Sequence, residues 1–308
     1  MRSVTRNATS LPGPSPPRPT TPRQKDVIEA RIPPTAPARR SALPFVAGGL
    51  VLLGITVVGI NTAGQIQDLA KGFPSNFARQ MMDLYGTVFQ IGSGILILIV
   101  GSRLIAMEYS SGTIRIAYAR GVGRLQLLLS KMTLLALMAV ALLAGYLLVV
   151  SGLVAALYAS WTGNLLTFDK IGSDVWQDFQ YWLLVQAMSM GIAILLAAAA
   201  AGLGRSLAFA MAASLAFFPI DNFLVGIMAL TARATKNQWP WTNITEYLLG
   251  PNLNVVLGLI EPDHRALGAF APPLNKIDGT HALIVIGVWA VVFIVIAVGR
   301  AVRPDVLE

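Results

Sequence analysis

Cysteine is absent from the 308 residues, and histidine occurs twice, at His264 and His281. The first absence excludes disulfides, thiolate nucleophiles, Fe–S ligation and cysteine-rich zinc sites together. The second leaves no imidazole pair at metal-ligand spacing on one helix face, so a metal centre is not expected. Charge is also scarce: Asp, Glu, Lys and Arg make up 12% of the chain, against about 25% in a soluble domain. The chain has no G-x-x-x-x-G-K-[ST] loop, and so no P-loop of its own. It also lacks H-E-x-x-H, G-x-S-x-G and a glycine-rich dinucleotide fingerprint. No catalytic residue or bound cofactor is expected. The nearest acid–imidazole pair is Glu261 with His264, in a loop.

What the chain has instead is apolar length. Hydrophobic residues make up 55%, mean hydropathy is +0.65, and the apolar residues fall in uncharged runs too long for one soluble core. About 20 such residues cross the hydrocarbon of a bilayer. Six spans are predicted, over 43–60, 84–102, 132–159, 181–203, 206–230 and 281–299. Arg103 closes the second, Trp161 and Phe168 suit an aromatic belt beyond the third, and Gly202-Leu203-Gly204-Arg205 turns the fourth into the fifth. The expected fold class is an all-α membrane protein with six transmembrane helices. Its domains are a tail, 1–40, and a six-span domain, 41–308. The tail carries Pro12, Pro14, Pro16, Pro17, Pro19, Pro22, Pro33, Pro34 and Pro37 among Ser, Thr and Arg; such a segment buries too little apolar surface to order itself. It also lacks the hydrophobic stretch of a cleaved signal peptide.

Six spans put both termini on one side of a cell membrane, and the basic residues say which. Eight Lys and Arg lie in the tail, from Arg2 to Arg40. The loop between the second and third spans adds Arg103, Arg115, Arg120, Arg124 and Lys131, and Arg205, Arg300 and Arg303 fall on the same side. Asp169, Asp174 and Asp178 gather on the opposite side, before the fourth span. Both termini are therefore expected to be cytoplasmic. The net charge of +8 is mostly this topology signal. A nucleic-acid partner is not expected, because no basic folded domain accompanies it; lipid headgroups are the partners such a tail meets.

Two features bear on a path through the membrane. Asp221, followed by Asn222, lies well inside the fifth span, and an intramembrane ionisable group is a functional candidate by default. It either contacts a cationic substrate, pairs with Arg233 or Lys236 at the outer rim, or is simply wet because Pro219 ends the span. Asp83, at the start of the second span, reads as interfacial. Between Arg233 and Asp278 the uncharged core 247–260 is too short to cross, so an interfacial or re-entrant helical hairpin is expected before the sixth span.

The stretch 108–131, EYSSGTIRIAYARGVGRLQLLLSK, holds the densest set of signals. Glu108 and Gly112 lie one above the other on a helix, and Ser110, Ser111 and Thr113 supply helix-starting hydroxyls around a flexible joint. Ile114, Ile116 and Ala117 interleave with Arg115 and Arg120, as in a short amphipathic helix at an interface. Gly121 and Gly123 break it, and Arg124 and Lys131 stand at the foot of the third span, where cations anchor to phosphates.

This run resembles the segment between the second and third spans in permeases of the ABC-2 type exporter family, of the form E-x-x-x-G-T-[LI]-R, then P-x-[SG]-R and a later Lys. The match is carried by Glu108, Gly112, Thr113, Ile114, Arg115, Arg124 and Lys131; Gly121 stands where the family commonly has Pro. The resemblance implies a coupling helix that docks on a cytoplasmic ABC ATPase subunit, with Thr113, Arg115, Tyr118 and Arg120 as contacts and Glu108 and Gly112 setting the joint. It also implies that ATP and Mg are bound by that ATPase, in two copies per transporter. A second permease copy or a paralogue would complete the path, and a hairpin would cap its outer mouth. The expected cargo is a small amphipathic molecule: a drug, peptide, lipid-like molecule or ion. Two other readings are a membrane anchor or sensor recruiting a protein through the Arg-rich tail, and an ATP-independent membrane enzyme using Glu261 and His264.

Overall fold

The computed structural model describes residues 63–111, 123–164, 172–260 and 272–302, all within the unit Gly48–Glu308. Among these residues the regular elements are helices: α1 (Ala63–Gly72), α2 (Pro74–Ser111), α3 (Arg124–Thr162), α4 (Ser173–Gly204), α5 (Leu207–Thr235), α6 (Trp241–Thr245), α7 (Leu249–Ile260) and α8 (Gly279–Val302). Five of them, α2, α3, α4, α5 and α8, are long and apolar enough to cross a membrane. They occupy the last five of the six stretches expected. The first, 43–60, lies outside the described residues, as do the tail, 112–122, and the Glu261–His264 pair.

Helix ends depart from the apolar runs for a physical reason. α2 has 38 residues and α3 has 39, about 57 Å at 1.5 Å per residue, nearly twice the ~30 Å of hydrocarbon. An apolar run limits how much helix lipid can cover; capping and propensity decide where the helix stops. After Arg103 the chain continues with Leu104, Ala106 and Met107, good helix formers, and α2 continues with it. α3 starts after an extended Gly123 and ends at Gly163, whose φ of 73° suits glycine and whose N–H bonds the Ala159 carbonyl. The corner between α4 and α5 is a left-handed Arg205, donating to the Ala201 carbonyl. It is followed by Ser206, whose Oγ accepts the Phe209 N–H as an N-cap.

α4 is the centre of the bundle. Two-thirds of its most apolar stretch is buried (67%), against 11% for α3, whose leucines and valines face outward. Small side chains permit this. The alanine run 197–201 is buried throughout, so those alanines serve packing inside the chain. At Gly101 of α2 a Cβ would sit 3.0 Å from the Ala197 Cβ, and at Gly202 it would sit 3.2 Å from the Arg300 Cβ. Close backbone approach of α4 to both α2 and α8 depends on these positions. α1, absent from the sequence expectation, packs Ile66 and Ala70 into a second cluster with Phe77, Tyr85 and Tyr158.

Two short helices, α6 and α7, precede the last long helix; the core 247–260, where a hairpin was expected, holds the single 12-residue helix α7, and α6 lies before it. The N-terminus of α7 lies against the middle of α5, because Asp221, fourteen residues from either end of α5, bonds Gly250 there. Its C-terminus, Leu259 and Ile260, lies beside Gly279 at the start of α8. α7 therefore runs from mid-bundle back to the end at which α8 begins.

Candidate functional site: a polar-walled cavity among α2, α4, α5 and α7

A cavity of about 280 Å³ opens between these four helices. α2 contributes Asp83, Gly86, Thr87 and Gln90; α4 contributes Trp182, Gln186 and Ser189; α5 contributes Phe218 and Asn222; α7 contributes Leu253 and Asn254. Leu98, Val185, Leu215 and Leu257 complete an otherwise apolar wall. α2 and α4 meet at a glycine beside this space: a Cβ on Gly86 would collide with the Trp182 indole nitrogen. The Trp182 ring fills that notch, stacked on Phe179 with centroids 5.8 Å apart. Pro219, inside α5, supplies no N–H to the Leu215 carbonyl one turn before it, and both residues lie on the wall.

The polar groups of the wall are held in place. Gln186, 3% exposed, donates from Nε2 to the Gly86 carbonyl at 3.1 Å, and its Oε1 has no hydrogen-bond partner. Asn222 donates to the Phe218 carbonyl at 2.9 Å and accepts from Asn254 Nδ2 at 2.7 Å, joining α5 to α7. At one end of the cavity, a turn before Asp83 and Trp182, Arg79 of α2 bridges Asp174 and Asp178 of α4, each at 2.6 Å. The Arg79 and Asp178 side chains are 17% and 5% exposed, so water screens that arm of the clamp poorly, while Asp174, 58% exposed, is an open surface arm.

The two residues proposed for the path have different places. Asn222 lies on the cavity wall. Asp221 turns to α7 instead: 5% exposed, it accepts the Gly250 N–H, with the Leu249 N–H beside it. It thus caps the N-terminus of a helix 29 residues further on. Pro219 does not end α5, so Asp221 is not wet, and its partner is the α7 backbone, not Arg233 or Lys236. Asp83, expected at the start of a span, is 9% exposed and lies on the cavity wall. Sequence reasoning missed Thr87, Gln90, Gln186 and Asn254. A signal for the first two existed: Asp83, Thr87, Gln90 and Gly94 recur every three or four residues through an apolar run, a polar stripe of helical period.

Of the coupling residues, Gly112, Thr113, Arg115, Tyr118 and Arg120 lie outside the described residues. Glu108 is in the last turn of α2. Arg124 opens α3, and its Nη1 donates to the Val302 carbonyl of α8 at 3.4 Å, a cation at a helix C-terminus. Lys131 differs from the expected phosphate anchor: it is buried and donates to the Leu104 carbonyl of α2 at 2.7 Å. The foot of α3 is thereby tied to the adjoining ends of both α2 and α8.

No curated protein and no solved structure matches the chain. The family described as ABC-2 family transporter protein matches residues 40–305. That stretch takes in the five long apolar helices, the short pair α6–α7 and the cavity between them. The chain is a multi-pass membrane protein of the ABC-2 transporter family, a transmembrane transport component.

Proposed function

We propose that the chain is the permease subunit of an ATP-driven exporter, with six spans, both termini cytoplasmic and a tail of 1–40. It would work with two copies of a cytoplasmic ABC ATPase, which bind ATP and Mg, and with a second permease copy or a paralogue. The segment 112–122 is the coupling helix in this reading, with Thr113, Arg115, Tyr118 and Arg120 touching the ATPase and Glu108 and Gly112 forming the joint. The observation that carries the reading furthest is the clamp at the foot of α3. Both bonds leave α3 just after the loop that would receive the push: Lys131 holds α2, the helix before the loop, and Arg124 holds α8. A force on that loop reaches three long helices as one body, and α2 is a wall of the cavity. α6 and α7 act as the re-entrant hairpin over the outer mouth, and the cargo is a small amphipathic molecule drawn through the cavity from the cytoplasmic side.

The test is co-expression of the tagged chain with a candidate ABC ATPase from its own genome, purification in mild detergent, and assay of ATP hydrolysis. An ATPase is expected to co-purify, and to be lost when 113–120 is replaced by a Gly/Ser linker while the chain still inserts. A chain that purifies alone beside its co-expressed candidates overturns the reading.

A further inference from the structure

The carboxamides of the cavity wall spend their donors on the protein and keep acceptors over. Gln186 of α4 donates from Nε2 to the Gly86 carbonyl, which can only accept, so its amide has one orientation and Oε1 is the atom left. That oxygen is buried and has no partner among the described residues. The Asn222 nitrogen goes to the Phe218 carbonyl and the Asn254 nitrogen to Asn222 Oδ1. On α5 the Leu215 carbonyl lacks its helical donor, because the position four residues on is Pro219. Unmet acceptors are costly in a low dielectric, and a ligand that brings an N–H relieves the cost. Charge is not what the wall offers: the residues lining it from α4, α5 and α7 are uncharged, and Asp83 on α2 is already engaged within the protein. A charged ligand would give up water for a wall of neutral dipoles, a far larger loss than an uncharged one meets.

We propose that this cavity is a binding site for an uncharged amphiphile of the carboxamide class: one amide N–H carried on a compact apolar body. The N–H meets Gln186 Oε1, and the apolar body lies against Leu98, Leu253 and Leu257. Gln90, on the α2 wall, brings a carboxamide that can donate to the ligand's own carbonyl. This narrows the cargo class for the transport function proposed above, setting ions aside, and rests on that reading for its biological meaning. Binding itself requires neither ATP nor an ATPase.

The test uses the purified full chain in nanodiscs, without nucleotide or partner. Calorimetry compares four probes built on one adamantane cage: the N-methylcarboxamide, the nearly isosteric methyl ester, the carboxylate and the amine, the last two charged at neutral pH. The ester keeps the shape and the carbonyl and lacks the N–H, so the amide is expected to bind roughly tenfold more tightly than the ester. Both charged probes should bind more weakly than the amide. Gln186→Leu should bring the amide down to the ester's affinity. Because that change also removes the bond to the Gly86 carbonyl, a second variant locates the probes without it. Gly94 lies between Gln90 and Leu98 on the cavity face of α2, and a Cβ there meets nothing within 4 Å. Gly94→Leu places a good helix former there, fills part of the space, and should weaken amide and ester alike by several-fold. Equal binding of amide and ester, a charged probe tighter than the amide, no binding of any probe, an amide advantage that survives Gln186→Leu, or full affinity in Gly94→Leu would overturn the assignment. Failure of the transport reading is a separate result: amide binding with no ATPase partner leaves the site standing, and an assembled, active complex indifferent to all four probes removes only the cargo class.

Discussion

Asp221 was conspicuous in the sequence as a carboxylate inside an apolar run, and that residue alone leaves open whether it acts on cargo or on the fold. Its contact decides for the fold. The carboxylate meets the positive end of α7, where Gly250 leaves room for it: a Cβ there would fall 2.5 Å from Asn222 Nδ2 and 3.0 Å from Asp221 Oδ2. Asp221→Ala would leave the Gly250 N–H buried and unsatisfied, costing about 1–3 kcal/mol. Asp221→Asn keeps an acceptor and loses only charge–dipole attraction, about 0.3–1 kcal/mol. The expected order of thermal stability, followed by tryptophan fluorescence in detergent, is wild type, then Asn, then Ala. Unchanged melting in both variants, with only transport altered, would return Asp221 to the path. The partner of Asp221 was not legible because it is a backbone N–H 29 residues away, and a backbone donor leaves no mark in sequence. Asn222 reached the cavity wall as its neighbour on the helix, displaced by about 100° around the axis.

At the scale of elements, the apolar runs located the long helices because burial in lipid demands length, and length is countable. The ends were less legible. α2 and α3 continue beyond hydrocarbon on good helix formers and stop at residues such as Gly163. Which helix would be central was not readable from hydropathy either, since α3 and α4 are both strongly apolar, yet α4 is inside and α3 outside. The difference lies in side-chain size. Small residues on α4 and at Gly101 let backbones approach, and that contact is absent at Gly145 of α3, where a Cβ meets nothing within 4 Å. Gly101→Leu should therefore separate α2 from α4, overpacking Ala197 and Leu135 at a cost of about 1–3 kcal/mol. Gly145→Leu, on an exposed face, should stay within about 0.5 kcal/mol. Paired melting curves in one detergent check this; equal effects would mean that α4 is not packed on α2 as described.

For the whole molecule the question is how a push at one end reaches a cavity tens of ångströms away. The stretch 108–131 pointed to a lever, but the anchorage of that lever was hidden, because Lys131 in an otherwise apolar helix reads equally as a lipid anchor or a structural bond. In the structure its ammonium is turned inward to the Leu104 carbonyl. α3 is then fastened to the end of α2 that leads directly into 112–122, and α2 carries Asp83, Thr87 and Gln90 on its far half. Lys131→Met keeps the length and apolar stem of the side chain and removes the bond. The loop itself is untouched, so the ATPase should still bind and still hydrolyse ATP. What should fall is the number of cargo molecules moved per ATP, by several-fold, measured in proteoliposomes containing permease and ATPase. Arg124→Met, acting on α8, should lower the same ratio less, since its bond is longer and exposed, at 3.4 Å, and α8 does not line the cavity. A Lys131→Met complex with an unchanged ratio would mean that the loop drives α2 without α3. One in which binding and hydrolysis are lost together would place Lys131 in assembly of the docking site, upstream of force transmission.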